Sequence, residues 1–162
     1  MTTAPFAREN QVQRRIVPDV VTGEQSLTFL HRAASVRDAA LAMHERQIGA
    51  IMVAEEGRLI GIFTERDLTR CIATNLDLAA TPLGLVMTRD PQTIDPKETP
   101  MQALQRMQDG HFRHLPVVEG GQVLGMVSVR DLFAAVRREL EEDLRSCEAF
   151  VQGESYGIAA SA

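Results

Sequence analysis

GIFTERDL, residues 61–68, and GMVSVRDL, residues 125–132, decide how this chain is read. Each holds a glycine, two apolar residues, a hydroxyl, and then an arginine and an aspartate. Sliding the chain on itself by the same offset of 64 pairs residues 28–68 with 92–132 without gaps. Nine positions are then identical: Ala39/Ala103, Met43/Met107, Val53/Val117, Glu55/Glu119, Gly57/Gly121, Gly61/Gly125, Arg66/Arg130, Asp67/Asp131 and Leu68/Leu132. Unrelated sequences of average composition would share roughly two or three. The chain is therefore an internal duplication.

Each copy reads as a short strand, a helix, two strands and a second helix. In the first, Ser35 is placed to cap the helix VRDAALAMHERQ, with Asp38 completing a capping box. In the second, Thr99 precedes Pro100 and Gln102, and Met101, Leu104 and Met107 are assigned to one face of the helix. The runs IGAIMVAEE and LPVVEGG, turning at Gly57 and Gly120-Gly121, predict hairpins. A Pro-containing linker, TNLDLAATPLGLVMTRDP, joins the copies. The last helix overruns the repeat with an apolar stripe: Leu132, Val136, Leu140, Leu144, Cys147 and Val151. Beyond Leu140 the repeat offers that stripe no cover, and a second protomer competes with the chain's own core for it.

The polar trio has a purely structural account. Thr64 with Asp67, and Ser128 with Asp131, suit a cap hydroxyl and an acid at the third helical position. Capping leaves the arginines unexplained. Arg66 and Arg130 stand in a first turn, where the helix dipole disfavours a cation by ~0.3–1 kcal/mol. An ion pair with Glu65 or the neighbouring aspartate would relieve this, and so would a phosphate at the helix start. Gly61 and Gly125 either mark bulges or let a flat ligand approach the backbone. A carboxylate can also accept from both hydroxyls of a ribose, so hydroxyl, guanidinium and carboxylate together suit a ribose phosphate.

These paired segments, with VMTRDPQTIDP in the linker and RHLPVV at 113–118, resemble a tandem of cystathionine β-synthase (CBS) domains, a Bateman module. The resemblance covers about residues 17–136. It implies an α+β fold of two β-α-β-β-α repeats related by a pseudo-twofold axis, with clefts between their sheets and a dimer formed through helices. On this scheme residues 1–16 are an N-terminal extension, 17–76 the first repeat, 77–136 the linker and second repeat, and 137–162 a helical extension and tail. The resemblance further implies an adenosine-type ligand. Asp67 and Asp131 would hold a ribose, while Thr64, Ser128, Arg66, Arg130, Arg113 and His114 would meet phosphates.

Composition agrees with a globular, non-catalytic module. Of 162 residues (17.9 kDa), 44% are apolar and 24% charged. A net charge of −5 without a basic run argues against a nucleic-acid surface. Cys71 and Cys147 stand far apart with no zinc spacing, and His31, His44, His111 and His114 lack HxxxH spacing, so neither disulfide nor metal is expected. The opening MTTAPFARENQVQRR has no signal-peptide core and no apolar run is of membrane-span length, which predicts a cytoplasmic protein off the membrane. No nucleophile with its base is evident, and the ~250-residue barrel of inosine monophosphate dehydrogenase, an enzyme carrying such a pair, is missing from this sequence. The expected function is sensing of AMP, ADP or ATP, with S-adenosylmethionine or NAD ranked behind them, by a homodimer with a further protein partner unnamed. The alternative is a protein-interaction scaffold whose clefts are empty or structurally filled. Within the nucleotide reading, Arg113 and His114 against Gly49 and Ala50 predict that the Asp131 cleft is the tighter.

Overall fold

The computed structural model describes residues 14–23 and 25–158, with side chains to residue 149. Its elements in chain order are β1 (Phe29–His31), α1 (Val36–Arg46), β2 (Ala50–Glu55), β3 (Arg58–Thr64), α2 (Glu65–Ala73), α3 (Leu83–Val86), β4 (Thr88–Arg89), α4 (Pro100–Gly110), β5 (His114–Glu119), β6 (Gln122–Ser128) and α5 (Val129–Ile158). One wide helical turn, Ile16–Val20, precedes them.

Helix starts follow the capping residues read from the sequence. Ser35 with Asp38, Thr64 with Asp67 and Thr99 with Gln102 form reciprocal capping boxes. Ser128 and Asp131 exchange the same bonds. Each box satisfies donors that the first helical turn would otherwise leave unpaired. The hairpins turn through left-handed pairs, Glu56 (φ 49°) with Gly57 (φ 77°) and Gly120 (φ 58°) with Gly121 (φ 83°). Such two-residue turns match the right-handed twist of the strands they join.

In the first unit the sheet order is β1-β2-β3-β4, with β1 parallel to β2 and the other pairs antiparallel. The second unit has β5 paired with β6, and here two expectations fail. Its first strand is reduced to a single bridge, Ile94 to Val117. Pro91 and Pro96 bracket Ile94 and carry no N–H to extend the ladder. The linker, for its part, is not merely a connection: it forms α3 and then β4, which pairs Arg89 with Gly61.

The packing crosses the order of the sequence. Ile16 and Val21 are buried with Ile94, Leu115, Val127 and Leu132 in the core of the second unit. Leu83, with Val86 and Met87 against it, is buried in the first core with Val53 and Phe63. Each unit thus receives the segment that sequence order places ahead of the other, and burying an Ile or Leu there contributes ~1.5–3 kcal/mol to holding the two together.

Two helix faces also differ from expectation or extend it. On α4 the buried stripe is Pro100, Ala103 and Met107, while Met101 points outward. Met101 and Met107 are six residues apart, about 120° around the helix, so they cannot share a face. Along α5, Leu132 is buried, but Leu140 and Leu144 are 63% and 61% exposed and Cys147 is exposed too. The backbone helix continues through Ile158, past the start of the tail GESYGIAASA. Val151 lies outside the described side chains, and most of MTTAPFARENQVQRR lies outside the described residues.

Candidate functional site

The first backbone N–H of α2 donates to the carbonyl of Gly49 (3.1 Å), and that of α5 donates to Arg113 (2.9 Å). Each second helix is thereby pinned at the mouth of its own hairpin, which fixes where its cap hydroxyl and aspartate stand.

Around the start of α5 lies a cleft of about 920 Å³ that both units build. The second unit contributes Ser128, Arg130, Asp131, Arg113 and His114; the first contributes Thr28, the α1 residues Met43 and His44, and the strand entry Gly49-Ala50. Five of the eight expected site residues therefore meet here. Thr64, Arg66 and Asp67 do not line it. Arg66 borders a shallower depression of about 560 Å³ beside α2, with Glu65, Arg70 and Arg113. Glu65 and Arg113 face both.

The arginine puzzle resolves differently in the two copies. Arg66 Nη1 donates to the carbonyl of His111 at 2.6 Å. His111 ends α4 in a left-handed cap, so this cation sits at the negative end of a neighbouring helix and its unfavourable place on α2 is offset. Arg130, in the cleft, has no hydrogen-bond or ion-pair partner among the described residues.

Gly61 and Gly125 have a packing role. A Cβ on Gly61 would stand 2.5 Å from Met87 Sδ and 3.0 Å from the Thr88 carbonyl; on Gly125 it would press on Val21 and Gln25 Oε1, the latter at 3.1 Å. The glycines admit the crossed-over segments instead of a flat ligand. Bulges accompany them, since the strand registers shift at Val53/Ala54 and Val117/Val118.

The cleft sets the guanidinium groups of Arg113 and Arg130 and the carboxylates of Glu65 and Asp131 around the imidazole of His114. Burial, and then the Arg113 charge, hold His114 below the ordinary histidine range, against weaker opposing pulls from Glu65 and Asp131. Of the three basic groups expected there, two are permanent cations.

Two contributors escaped the sequence reading. Thr28 Oγ1 is buried beside the cleft with no hydrogen-bond partner among the described residues. Its burial follows from the β1–β2 pairing, in which the Met52 N–H donates to the Thr28 carbonyl at 3.2 Å, and nothing local signals it. Arg70 pairs with Asp67 at 2.9 Å, and its spacing three residues on was legible as a helix pair. Among the described residues no group of His, Cys, Asp or Glu is arranged to hold a metal, and no helix is long and apolar enough to cross a membrane.

The CBS domain family profile matches residues 13–74 and again 83–138. A mitochondrial CBS domain-containing protein of Arabidopsis thaliana, CBSX3, is 35% identical over 125 residues, which is 74% of this chain and 61% of that protein. The chain spans 22% and 25% of two longer Arabidopsis relatives. Among solved structures, a CBS-domain containing protein from Agrobacterium tumefaciens superposes with a TM-score of 0.69 at 31% identity, covering 74% of this chain and 97% of its own. A CBS domain protein from Pyrobaculum aerophilum, solved in complex with AMP, gives 0.62 at 25% identity over 67% of this chain and 85% of its own. Duplicated motif, crossed cores and profile agree: the chain belongs to the CBS domain family and carries two tandem copies of the domain.

Proposed function

We propose that the chain is a non-catalytic regulatory module that senses an adenine nucleotide, AMP, ADP or ATP, in the cleft at Asp131. The composition of that cleft carries the reading. Asp131 offers a carboxylate oxygen to ribose hydroxyls, Arg113 and Arg130 offer charge to phosphates, and the start of α5 adds its dipole. Thr28 supplies a buried hydroxyl that lacks a partner among the described residues, a group whose desolvation a ligand would offset. The AMP complex of the Pyrobaculum relative supports the same ligand class. Roles for Thr64, Arg66 and Asp67 in binding find less support, since none of them lines this cleft.

The reading places the protein in the cytoplasm as a homodimer acting on a further protein partner, with the free thiols Cys71 and Cys147 suited to a reducing compartment. Thermal unfolding with AMP, ADP, ATP, S-adenosylmethionine and NAD tests it. A ligand at ~100 times its dissociation constant adds ~2.7 kcal/mol to the native state, a melting shift of several degrees for a chain of this size. An adenine nucleotide should give that shift and remain chemically unchanged on chromatography. No shift from any of the five would favour the scaffold reading, and turnover of the nucleotide would overturn the non-catalytic one.

A further inference from the structure

Asp67 and Asp131 cap their helices alike and are otherwise in different surroundings. Each gives Oδ2 to the N–H and hydroxyl of its cap residue, at 2.9 and 2.8 Å from Thr64 and at 2.8 and 2.6 Å from Ser128. They differ at Oδ1. On Asp67 this oxygen forms an ion pair with Arg70 Nη2 at 2.9 Å, and the same nitrogen donates a hydrogen bond to the Val86 carbonyl of α3 at 2.9 Å. Asp67 is only 4% exposed. On Asp131, Oδ1 has no hydrogen bond among the described residues, and the residue itself is exposed in the 920 Å³ cleft. Sixty-four positions after Arg70 stands Ala134, which has no cation to offer.

We propose that the chain takes one nucleotide rather than two, and that the Arg70 guanidinium is a built-in occupant of the place at Asp67 that ligand hydroxyls would need. The proposal rests on the nucleotide reading above and adds its stoichiometry and the residue that sets it. The guanidinium–carboxylate ion pair brings a full charge to a carboxylate whose side chain is 6% exposed, where a ligand hydroxyl brings only a dipole. Being intramolecular, it also avoids the translational and rotational cost that a ligand incurs. The same Arg70 nitrogen is also held by the Val86 carbonyl, so a ligand would have to displace a side chain anchored twice to reach Asp67. In the second unit Ala134 leaves the matching oxygen available.

Exchanging the two residues tests this with AMP as the probe, in titration calorimetry on the full chain. Wild type should bind about one AMP per chain. Arg70→Ala should bind about two. Ala134→Arg, an exposed position on α5 where folding is not at stake, should lose affinity about tenfold or more, because its guanidinium then competes for Asp131. Two AMP per wild-type chain, a stoichiometry unchanged in Arg70→Ala, or wild-type affinity in Ala134→Arg would each overturn the proposal. If Arg70→Ala fails to fold, Ala134→Arg decides alone. Absence of AMP binding in all three proteins would instead sink the nucleotide reading, and the stoichiometry with it.

Discussion

His114 shows how a single side chain takes its properties from packing. In the sequence it is a basic residue at a strand start, counted with Arg113 as a phosphate ligand. In the fold it is half-buried beside Arg113, with Glu65 and Asp131 facing it, and its pKa falls below the ordinary 6.5. The folded chain therefore binds this proton less readily than the unfolded chain. Above about pH 6.5 both are neutral and the contribution to stability is fully present; as pH falls through 6.5 toward the folded value, that stability is lost. We expect the melting temperature of wild type to drop more steeply over this acidic range than that of His114→Gln. Parallel profiles would show that His114 does not carry the effect. Arg66 makes a similar point: the sequence poses the problem of a cation in a first turn, but its solution at the His111 carbonyl lies 45 residues away.

At the level of elements, the four capping boxes were legible because a cap is a contact within three residues, and each was found where the pattern placed it. The two aspartate caps should nevertheless differ in worth. Asp131→Ala removes an exposed cap and should cost ~1 kcal/mol. Asp67→Ala also removes the Arg70 ion pair and leaves the part-buried Thr64 N–H and hydroxyl without their acceptor, and should cost ~2–3 kcal/mol. Urea unfolding of both variants measures this, and equal losses would contradict the difference in burial. The first strand of the second unit was read by analogy with the first, and the analogy broke where Pro91 and Pro96 removed ladder donors. Met101 was misplaced by treating a spacing of six as one face.

The whole molecule leaves an apolar line uncovered along α5. Phe133, Leu140 and Leu144 are 62%, 63% and 61% exposed and recur at spacings of seven and four, a single helix face. The described residues before β1 reach α5 through an Arg14–Glu142 ion pair and an Arg138 contact to the Asp19 carbonyl. The expected homodimer would cover the apolar line with a second copy of the chain. Light scattering at micromolar concentration should return twice the mass of the chain, and the double variant Leu140→Asp, Leu144→Asp should return the single mass. Monomer from wild type would remove the dimer from the proposed mechanism.

By itself the sequence determined the duplication, the helix starts, the hairpins, and five residues that the fold gathers in one cleft: Arg113, His114, Ser128, Arg130 and Asp131. All of these rest on repeat spacing or on contacts a few residues apart, which a linear pattern records. Tertiary structure alone decided that Ile16 and Val21 cross to the second core and Leu83 to the first. It also decided that the Thr28 hydroxyl is buried with no partner among the described residues and that Gly61 and Gly125 serve those crossing segments. The equivalence of Asp67 and Asp131 was a property of the repeat. Their difference is half linear, since Arg70 follows Asp67 by three residues where Ala134 follows Asp131, and half tertiary, since the Val86 carbonyl that also holds Arg70 is 16 residues away and its approach depends on how the chain packs.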